Sequence, residues 1–371
     1  MSDPLRVLVV ASARPNFMKV APIIRHILAR ASTLATSERG IDYKLVHTGQ
    51  HYDANMSEIF FVELGIARPD FNLDVGSGTQ AEQTANVMIR FETLCAEHRP
   101  DWVLVVGDVT PTMACTLVCA KLGIRVAHVE AGLRSFDRSM PEEVNRLVTD
   151  ALADLLLTPS ADGDENLRRE GVDATKIVCV GNVMIDSLIA NMEAARASTA
   201  PDRLGLTKKA FVYVTLHRPC NVDSRVELSA VLTELRRIGS DMPVVFPMHP
   251  RTRKMCSQLG LQTEGDHGLR IVEPLGYHDS LCLTEAARFV VTDSGGLQEE
   301  STWLRTPCLT LRPNTERPIT ITLGSNQLTS LARLSADIDT LLAKPLRFGT
   351  IPPLWDGHAA ERIIASLLAA S

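Results

Sequence analysis

The sequence predicts an α/β protein with two parallel β-sheets, and three observations lead to this fold class. Short aliphatic runs alternate with amphipathic stretches of helical period along most of the chain. The runs 7–10 and 103–106 are continuously apolar, which is typical of parallel strands covered on both faces. The length of 371 residues suits two domains of roughly 150–200 residues each. We therefore expect two Rossmann-like domains that meet at a cleft.

The alternation divides into two halves, which we predict to be residues 1–175 and 176–356. In the first half, strands are predicted at 5–10, 43–47, 102–106, 125–128 and 155–157, with helices near 17–30, 81–97, 112–122 and 142–153. A strand at 177–180 leads into another helix, and a polar stretch at 194–209 follows. Further strands are predicted at 211–215, 244–246, 270–272, 289–292 and 308–311, and a helix at 359–370 closes the chain.

The composition is that of a globular protein and excludes several classes of function. Hydrophobic residues make up 45% and charged residues 22% of the chain, and the net charge of −6 argues against a broad nucleic-acid-binding surface. No apolar run approaches the ~20 residues that span a bilayer, so we expect no membrane segment. The eight cysteines include no Cys-x-x-Cys pair. This pattern favours reduced thiols in the cytoplasm over disulfides or structural zinc.

The segment 291–300, Val-Thr-Asp-Ser-Gly-Gly-Leu-Gln-Glu-Glu, has the pattern of a phosphate-binding junction. An apolar run ends at Asp293 and Ser294, two glycines remove the side chains, and helix-forming residues follow. The bare N–H groups and the positive end of the helix dipole suit a phosphate. Glu299 and Glu300 offer carboxylates to both hydroxyls of a ribose. The segment therefore favours a nucleotide, although a helix capped by Asp293 or Ser294 explains its start equally well.

Two acidic residues follow neighbouring strands of the first predicted sheet. Asp108 comes after the strand 102–106, and Glu130 comes after the strand 125–128. We expect their carboxylates to lie within several Å of each other at one edge of the sheet. Such a pair raises the pKa of one member, which suits acid–base catalysis near neutral pH. The structural alternatives are a helix N-cap for Asp108 and a partner of Arg134 for Glu130.

Three further clusters lie at strand ends or helix starts. Arg14 and Lys19 follow the first strand at the mouth of a helix, where they suit a diphosphate. Glu142 and Arg146 are four residues apart on one helical face, although an acidic residue in a first helical turn also complements the helix dipole. His217 follows the first strand of the second half, which places it across the expected cleft from the carboxylates.

Patterns for cofactors and metals are weak in this sequence. The stretch 76–81 fits a dinucleotide-binding fingerprint loosely, but no acidic residue ends a second strand about 20 residues later. The sequence His128-Val-Glu130 is similar to a segment of the zinc deaminases, but no Pro-Cys-x-x-Cys follows it. We therefore expect neither a nicotinamide cofactor nor a bound metal.

Taken together, these clusters closely resemble the bacterial UDP-N-acetylglucosamine 2-epimerases of the non-hydrolysing type. Any one cluster alone is a weak signal, whereas the ordered set is specific. The matching segments occur in the same order over nearly the whole chain, at 13–19, 48–51, 107–108, 128–134, 141–146, 181–186, 217–218, 293–300 and 315–318.

The resemblance implies a fold, an activity and partners. The family has a glycosyltransferase-B-like fold, in which a C-terminal helix, here 357–371, crosses back and completes the first domain. It interconverts UDP-GlcNAc and UDP-ManNAc by expelling UDP across C1 and C2, which gives 2-acetamidoglucal, and by adding UDP back. Its members are usually homodimers and bind a UDP-sugar, with no nucleic-acid or membrane partner.

The resemblance also implies the roles of individual residues. The catalytic set consists of Asp108, Glu130, Glu142 and His217. We assign proton transfer to Asp108 and Glu130, without deciding which is the acid and which the base. The remaining residues bind the substrate: Arg14, Ser294, Gly295 and Gly296 hold the diphosphate, Lys19 lies on the phosphate side, Glu300 holds the ribose hydroxyls, Arg146 supports Glu142, and Arg317 lines the sugar side.

The chain departs from the family at three places, and other functions share its motifs. Asn16 stands where family members often have Glu, and residues 109–112, Val-Thr-Pro-Thr, stand where they often have Thr-rich segments. The loop near Gly78 has no arginine to bind a second UDP-GlcNAc as an activator, although Gln50 is present. The alternative functions are a hydrolysing epimerase that releases ManNAc and UDP, a glycosyltransferase on the same scaffold, and a sugar-nucleotide sensor without catalysis.

Overall fold

The chain forms two compact α/β units. The computed structural model describes residues 3–12, 14–33, 39–49, 67–262, 268–343 and 348–371, without the side chains of Arg14 and Pro15. The first unit contains Met1–Ser187 and Pro353–Ser371, and the second contains Leu188–Pro352. The division lies beyond residue 175 because the strand Ile177–Cys179 pairs with the sheet of the first unit.

The first unit is built on a seven-stranded parallel sheet covered by helices. Its strands follow the order β3-β2-β1-β4-β5-β6-β7, and apolar strands such as Trp102–Val106 are buried along their whole length. The strands are β1 (Leu5–Ala11), β2 (Ile41–His47), β3 (Phe71–Asn72), β4 (Trp102–Val106), β5 (Arg125–Val129), β6 (Leu155–Thr158) and β7 (Ile177–Cys179). The helices are α1 (Arg14–Thr33), α2 (Gln80–His98), α3 (Thr110–Leu122), α4 (Pro141–Leu152), α5 (Ala161–Arg169) and α6 (Val183–Arg196).

The second unit contains a six-stranded parallel sheet in the order β10-β9-β8-β11-β12-β13. Its strands are β8 (Val212–Thr215), β9 (Val244–Pro247), β10 (Leu269–Val272), β11 (Phe289–Thr292), β12 (Cys308–Leu311) and β13 (Asn326–Thr329). The helices of this part of the chain are α7 (Ala200–Arg203), α8 (Pro219–Val222), α9 (Arg225–Gly239), α10 (Pro250–Gln258), α11 (Tyr277–Ala286), α12 (Gly295–Trp303), α13 (Ile319–Thr322) and α14 (Leu331–Ala343). In the described residues, no helix combines the length and the apolar character that crossing a membrane requires.

Both sheets have Rossmann-like strand order, which confirms the predicted fold class. In the first unit the strand order reverses between β1 and β4, and in the second unit it reverses between β8 and β11. Ligands of open α/β sheets bind outside the carboxyl ends of the strands at this reversal. The topology therefore indicates one candidate site in each unit, at the ends of these strand pairs.

The C-terminal helix α15 (Ala359–Ala369) belongs to the first unit, where it packs against α1. Asp186 of α6 accepts hydrogen bonds from the first two backbone N–H groups of α15, at 3.1 Å from Ala359 and 2.7 Å from Ala360. At the other end, the indole N–H of Trp102 donates to Ser371 Oγ at 2.9 Å. Both ends of the helix are therefore fixed to the first unit.

Two strands lack the apolar pattern that predicts the others. The strand β3 has only two residues, and β13 reads Asn-Gln-Leu-Thr, whose polar residues indicate a loop. Asn326 is buried in β13 because its side chain accepts a hydrogen bond from Thr310 Oγ1 at 2.6 Å and donates one to Gln298 Oε1 at 3.1 Å. Side-chain hydrogen bonds thus replace apolar burial in this edge strand.

We expect Asp186→Ala to lower the free energy of unfolding by about 1 to 2 kcal/mol, because the first N–H groups of α15 lose their acceptor. Chemical denaturation measures this change. Asp339→Ala is the control, since its ion pair with Arg237 is largely exposed and should contribute less than about 1 kcal/mol. Equal losses in the two variants would show that Asp186 does not fix the helix.

Candidate active site

The candidate site of the first unit lies at the carboxyl ends of β1, β4 and β5. Gly107 follows β4 with φ +70°, and Glu130 follows β5 with φ +73°. A left-handed conformation costs a non-glycine residue roughly 1 to 3 kcal/mol and is often found at functional sites. Both turns direct an acidic residue to the same edge of the sheet, where Asp108 and Glu130 are predicted.

Asp108 is held by the first turns of α4. Arg146 donates from Nε to Asp108 Oδ2 at 3.1 Å, with Nη2 at 3.0 Å from the same oxygen. The Asn145 side chain donates to the Asp108 carbonyl at 2.8 Å. The N-cap of α3 is Val109 rather than Asp108, so the helix-cap alternative for Asp108 is wrong. The Asp108 side chain is 29% exposed and remains accessible to a ligand.

Glu130 is buried and forms an ion pair with the buried ammonium group of Lys19. The alternative partner, Arg134, instead pairs with Asp150 and Glu170. Lys19 therefore lies beside a carboxylate in the first unit. Arg14 begins α1 next to this edge of the sheet, but its side chain lies outside the described residues.

The two glutamates at the start of α4 have different environments. Glu142 is exposed in the first turn of the helix. Glu143 is buried, pairs with Arg146, and accepts hydrogen bonds of 2.9 Å from the Ser135 and Phe136 backbone N–H groups. Arg146 therefore bridges Asp108 and Glu143. Sequence reasoning missed Glu143, although its position three residues before Arg146 is compatible with a helical ion pair.

The candidate site of the second unit begins at the N-terminus of α12. Ser294 is the N-cap residue, and Gly295 and Gly296 form the first turn. The first N–H groups of an α-helix have no partner within the helix, so they can bind an anion. The guanidinium of Arg317 lies against this turn. A side chain at position 295 would collide with it, since a Cβ atom there would lie 2.8 Å from Arg317 Nη1.

His217 is oriented by a buried aspartate at the end of the neighbouring strand. Asp293 accepts hydrogen bonds from the backbone N–H of His217 at 3.1 Å and of Arg218 at 2.9 Å, and from Asn221 Nδ2 at 2.9 Å. Its carboxylate also lies 3.0 Å from His217 Nδ1. The histidine side chain is 59% exposed, so Nε2 is the ring atom available to a ligand.

The charge on Asp293 is stabilised although the residue is fully buried. Burial raises its pKa, but the hydrogen bonds and charge of His217 and the hydrogen bonds from Asn221 and Arg218 outweigh burial and lower the pKa below its ordinary value. Sequence reasoning treated Asp293 only as a possible cap of α12. The available signal was its position at the end of β11, which pairs with β8 and therefore lies beside His217.

The two glutamates of α12 are buried in different electrostatic environments. Glu299 Oε1 lies 2.7 Å from Arg317 Nε, and Arg317 also pairs with Glu316. Burial raises the pKa of Glu300 to about 7, and the charge of Glu299 acts in the same direction. The Tyr277 hydroxyl opposes this rise, although it lacks the geometry of a regular hydrogen bond. Glu300 therefore changes its charge near neutral pH.

Within the described ranges, no group of three or more histidine, cysteine, aspartate or glutamate side chains has the arrangement of a metal site. The structure thus groups Lys19, Asp108, Glu130 and Arg146 in the first unit, and His217, the start of α12, Glu300 and Arg317 in the second. The carboxylates of the first unit can transfer protons, and the start of α12 in the second unit can bind an anion.

Comparison with known proteins agrees with this arrangement. The family profile described as UDP-N-acetylglucosamine 2-epimerase matches residues 34–368. The UDP-N-acetylglucosamine 2-epimerase of Methanocaldococcus jannaschii is 38% identical over 98% of this chain and 99% of its own length. Its crystal structure in complex with UDP-GlcNAc and UDP is similar to this one with a TM-score of 0.87 and 37% identity, covering 99% of this chain and 100% of that chain.

Another relative is named for a different substrate. The UDP-2,3-diacetamido-2,3-dideoxy-D-glucuronate 2-epimerase of Pseudomonas aeruginosa is 39% identical over 98% of this chain and 99% of its own length. The matches extend over nearly the full length of these relatives as well as of this protein. The chain belongs to the UDP-N-acetylglucosamine 2-epimerase family.

Proposed function

We propose that this protein catalyses the reversible epimerisation of UDP-GlcNAc at C2 to UDP-ManNAc, by elimination of UDP to 2-acetamidoglucal and re-addition of UDP. The observation that carries the proposal is the pair of acids after β4 and β5, Asp108 and Glu130, each held by a cation at the same edge of the first sheet. Membership of the epimerase family supports the reaction class.

The chemistry explains why two acidic groups are needed. A base removes the C2 hydrogen as a proton, the C–H electron pair forms the C1=C2 double bond, and the C1–O bond breaks as UDP leaves. In the return step an acid protonates C2 on the opposite face, and a UDP oxygen forms the bond to C1. Because the two faces of the sugar differ, we assign the two proton transfers to different groups.

The environments of Asp108 and Glu130 suit this division of roles. Asp108 is partly exposed and held by Arg146, whereas Glu130 is buried beside Lys19. We propose that Glu142, exposed at the start of α4, orients the reacting groups or assists the departure of UDP.

In this proposal the uridine diphosphate binds to the second unit. Ser294 and the N–H groups of Gly295 and Gly296 hold the diphosphate, and Glu300 accepts the ribose hydroxyls. The phosphate roles of Arg14 and Lys19 in the first unit stay predictions from the family resemblance. Arg317 supports the first turn of α12 and lines the sugar side. His217, oriented by Asp293, presents Nε2 for the departure of UDP.

A second candidate substrate is the one named for the Pseudomonas aeruginosa relative, UDP-2,3-diacetamido-2,3-dideoxy-D-glucuronic acid. The specific observation in its favour is the identity to that relative, 39% over 98% of this chain, which is comparable to the 38% identity to the Methanocaldococcus jannaschii UDP-GlcNAc 2-epimerase. Both substrates carry a 2-acetamido group next to C1, so the same residues perform the same elimination. They differ in the C3 and C6 substituents.

Incubation of the purified protein with each substrate in deuterated water tests the function. We expect nuclear magnetic resonance to show deuterium at C2 while the gluco and manno forms of UDP-GlcNAc equilibrate. Release of free ManNAc and UDP alone would indicate the hydrolysing reaction. Unchanged UDP-GlcNAc would contradict the proposal and favour the Pseudomonas aeruginosa substrate, a glycosyltransferase that needs an acceptor, or a sensor.

We expect Asp108→Asn to reduce the rate of epimerisation by about 10²-fold or more, because the amide cannot accept the proton. UDP binding, measured by calorimetry, should stay within about threefold of the unaltered protein. Asp42→Asn is the matched control, since Asp42 is exposed near the amino end of β2. An Asp108→Asn variant that retains the full rate would exclude Asp108 from proton transfer.

UDP binding should strengthen with pH through the ionisation of Glu300. Because its pKa is about 7, the fraction of carboxylate rises about tenfold between pH 6 and pH 8, and the affinity should follow. Glu300→Gln should remove this part of the pH dependence, and calorimetric titration of both proteins at each pH measures it. Parallel pH profiles of the two proteins would contradict the assignment of the ribose hydroxyls to Glu300.

The same shift predicts the pH dependence of stability. The pKa of Glu300 in the folded protein lies above its ordinary value of 4.5, so its ionisation disfavours the folded state. Relative to Glu300→Gln, the unaltered protein should lose free energy of unfolding as the pH rises from about 4.5 through 7, by an amount on the order of 3 kcal/mol. Urea denaturation at pH 5 and pH 8 checks the sign.

We also propose that the protein is a cytoplasmic homodimer, as its resemblance to the family implies. An apolar groove of about 510 Å³ lies on the first unit between α2, α3 and α4, lined by Met88, Met113 and Val144 among others. Ile89 of α2 is also largely exposed. Apolar surface of this kind supports a subunit contact, and a second copy of this chain is the proposed partner.

We expect Val144→Glu to dissociate the proposed dimer, because a carboxylate enters the apolar groove. Light scattering coupled to gel filtration measures the mass. Val226→Glu, at an exposed position at the start of α9 in the second unit, is the matched control and should leave the mass unchanged. A monomeric unaltered protein, or a Val144→Glu variant that stays dimeric at micromolar concentration, would contradict this surface.

A further inference from the structure

We propose that His128 and Asp150 form a buried hydrogen-bonded pair, the brace, that positions the turns carrying Asp108 and Glu130. The role of the brace in catalysis rests on the proposed function, whereas the contacts between the two residues are independent of that function. His128 lies in β5 and Asp150 in α4, and both side chains are fully buried. Neither residue lies at a strand end, so neither is a candidate to contact the substrate.

The hydrogen bonds of the pair fix the orientation of the imidazole. His128 Nδ1 lies 2.6 Å from Asp150 Oδ1, and His128 Nε2 lies 2.8 Å from the carbonyl oxygen of Gly107. A carbonyl oxygen can only accept, so Nε2 donates to Gly107. Both ring nitrogens therefore have a buried partner, one on each side of the ring.

Both carboxylate oxygens of Asp150 have partners despite its burial. Burial raises the pKa of Asp150, but His128 and Arg134 together outweigh burial and lower it. Arg134 donates to Asp150 Oδ2 at 2.6 Å and also pairs with Glu170. Asp150 therefore has a hydrogen-bonding partner on each oxygen atom.

The brace connects the two turns that carry the proposed catalytic acids. On one side, His128 holds the carbonyl of Gly107, the residue before Asp108. On the other side, Asp150 Oδ2 accepts the backbone N–H of Gly132 at 3.0 Å, two residues after Glu130. A shift of the pair would therefore move both turns. We infer that His128 and Asp150 are positioning residues that maintain the spacing of the two acids.

Kinetics of substituted proteins test the positioning role. We expect His128→Ala to lower kcat for epimerisation by about 10²-fold, since small displacements of reacting groups have effects of this size. KM and the dissociation constant of UDP should stay within about twofold. His128→Gln, whose amide can still donate to the Gly107 carbonyl, should recover part of the lost rate.

A matched control separates positioning from general destabilisation. Asp337→Asn alters another buried helical carboxylate, which accepts a hydrogen bond from Thr329 at 2.7 Å in the second unit. We expect Asp150→Asn to lower kcat while Asp337→Asn leaves it unchanged at a similar loss of stability. Equal effects of the two variants on kcat, or a His128→Ala variant with the full kcat, would overturn the positioning role.

Nitrogen-15 resonance tests the hydrogen-bonded pair without any substrate. In protein labelled at its ten histidines, one imidazole should show a ring proton that exchanges slowly with water, and this signal should be absent from His128→Ala. A signal that exchanges rapidly, or one that persists in His128→Ala with no other signal lost, would overturn the brace. Failure of the unaltered protein to convert UDP-GlcNAc would instead overturn the proposed function, and the nitrogen signal would still decide whether the buried pair exists.

Discussion

Buried charge at the carboxyl ends of parallel strands is the constraint on which the rest of this structure depends. A charged group removed from water is unfavourable unless an opposite charge and hydrogen bonds replace its hydration. The first unit meets this condition with Lys19 for Glu130 and Arg146 for Asp108. The ion pairs also determine where the acidic oxygen atoms lie. The same contacts therefore stabilise the buried charges in the folded protein and fix the geometry of the site.

The helix α4 provides several of the side chains that hold the site of the first unit. Glu143 binds the loop at 135–136, and Arg146 binds Asp108. Asp150 of the same helix binds the segment after β5. A helix places residues three and four apart on the same face. A single helix can therefore support the turns after both β4 and β5, and this explains why polar and charged side chains occupy its buried face.

In the second unit, backbone N–H groups stabilise a buried carboxylate. Asp293 is fully buried, but the N–H groups of two residues after β8 and the Asn221 amide surround its carboxylate. The result orients His217 and leaves its second ring nitrogen accessible. Glu300 is the contrasting case, since no ion pair with a cation among the described residues offsets its burial, and its pKa rises to about 7. A raised pKa of this kind is typical of functional sites.

The sequence alone determined the fold class, because continuous apolar runs and helical periodicity reflect burial on both faces of a parallel sheet. It also predicted that Asp108, Glu130, His217 and Ser294 follow strands, and in the structure each lies one or two residues after the end of a strand. The edge strand β13 could not be predicted, because hydrogen bonds of Asn326 to residues distant in sequence stabilise it.

Only the tertiary structure decided which charges pair. Lys19 and Glu130 are 111 residues apart, and His128 and Asp150 are 22 residues apart, so no local pattern connects them. The structure also distinguished Glu142 from Glu143, which are adjacent and chemically identical in the sequence. The physical reason is that the energy of a charge depends on its distance from other charges and from water, and these distances exist only in the folded chain.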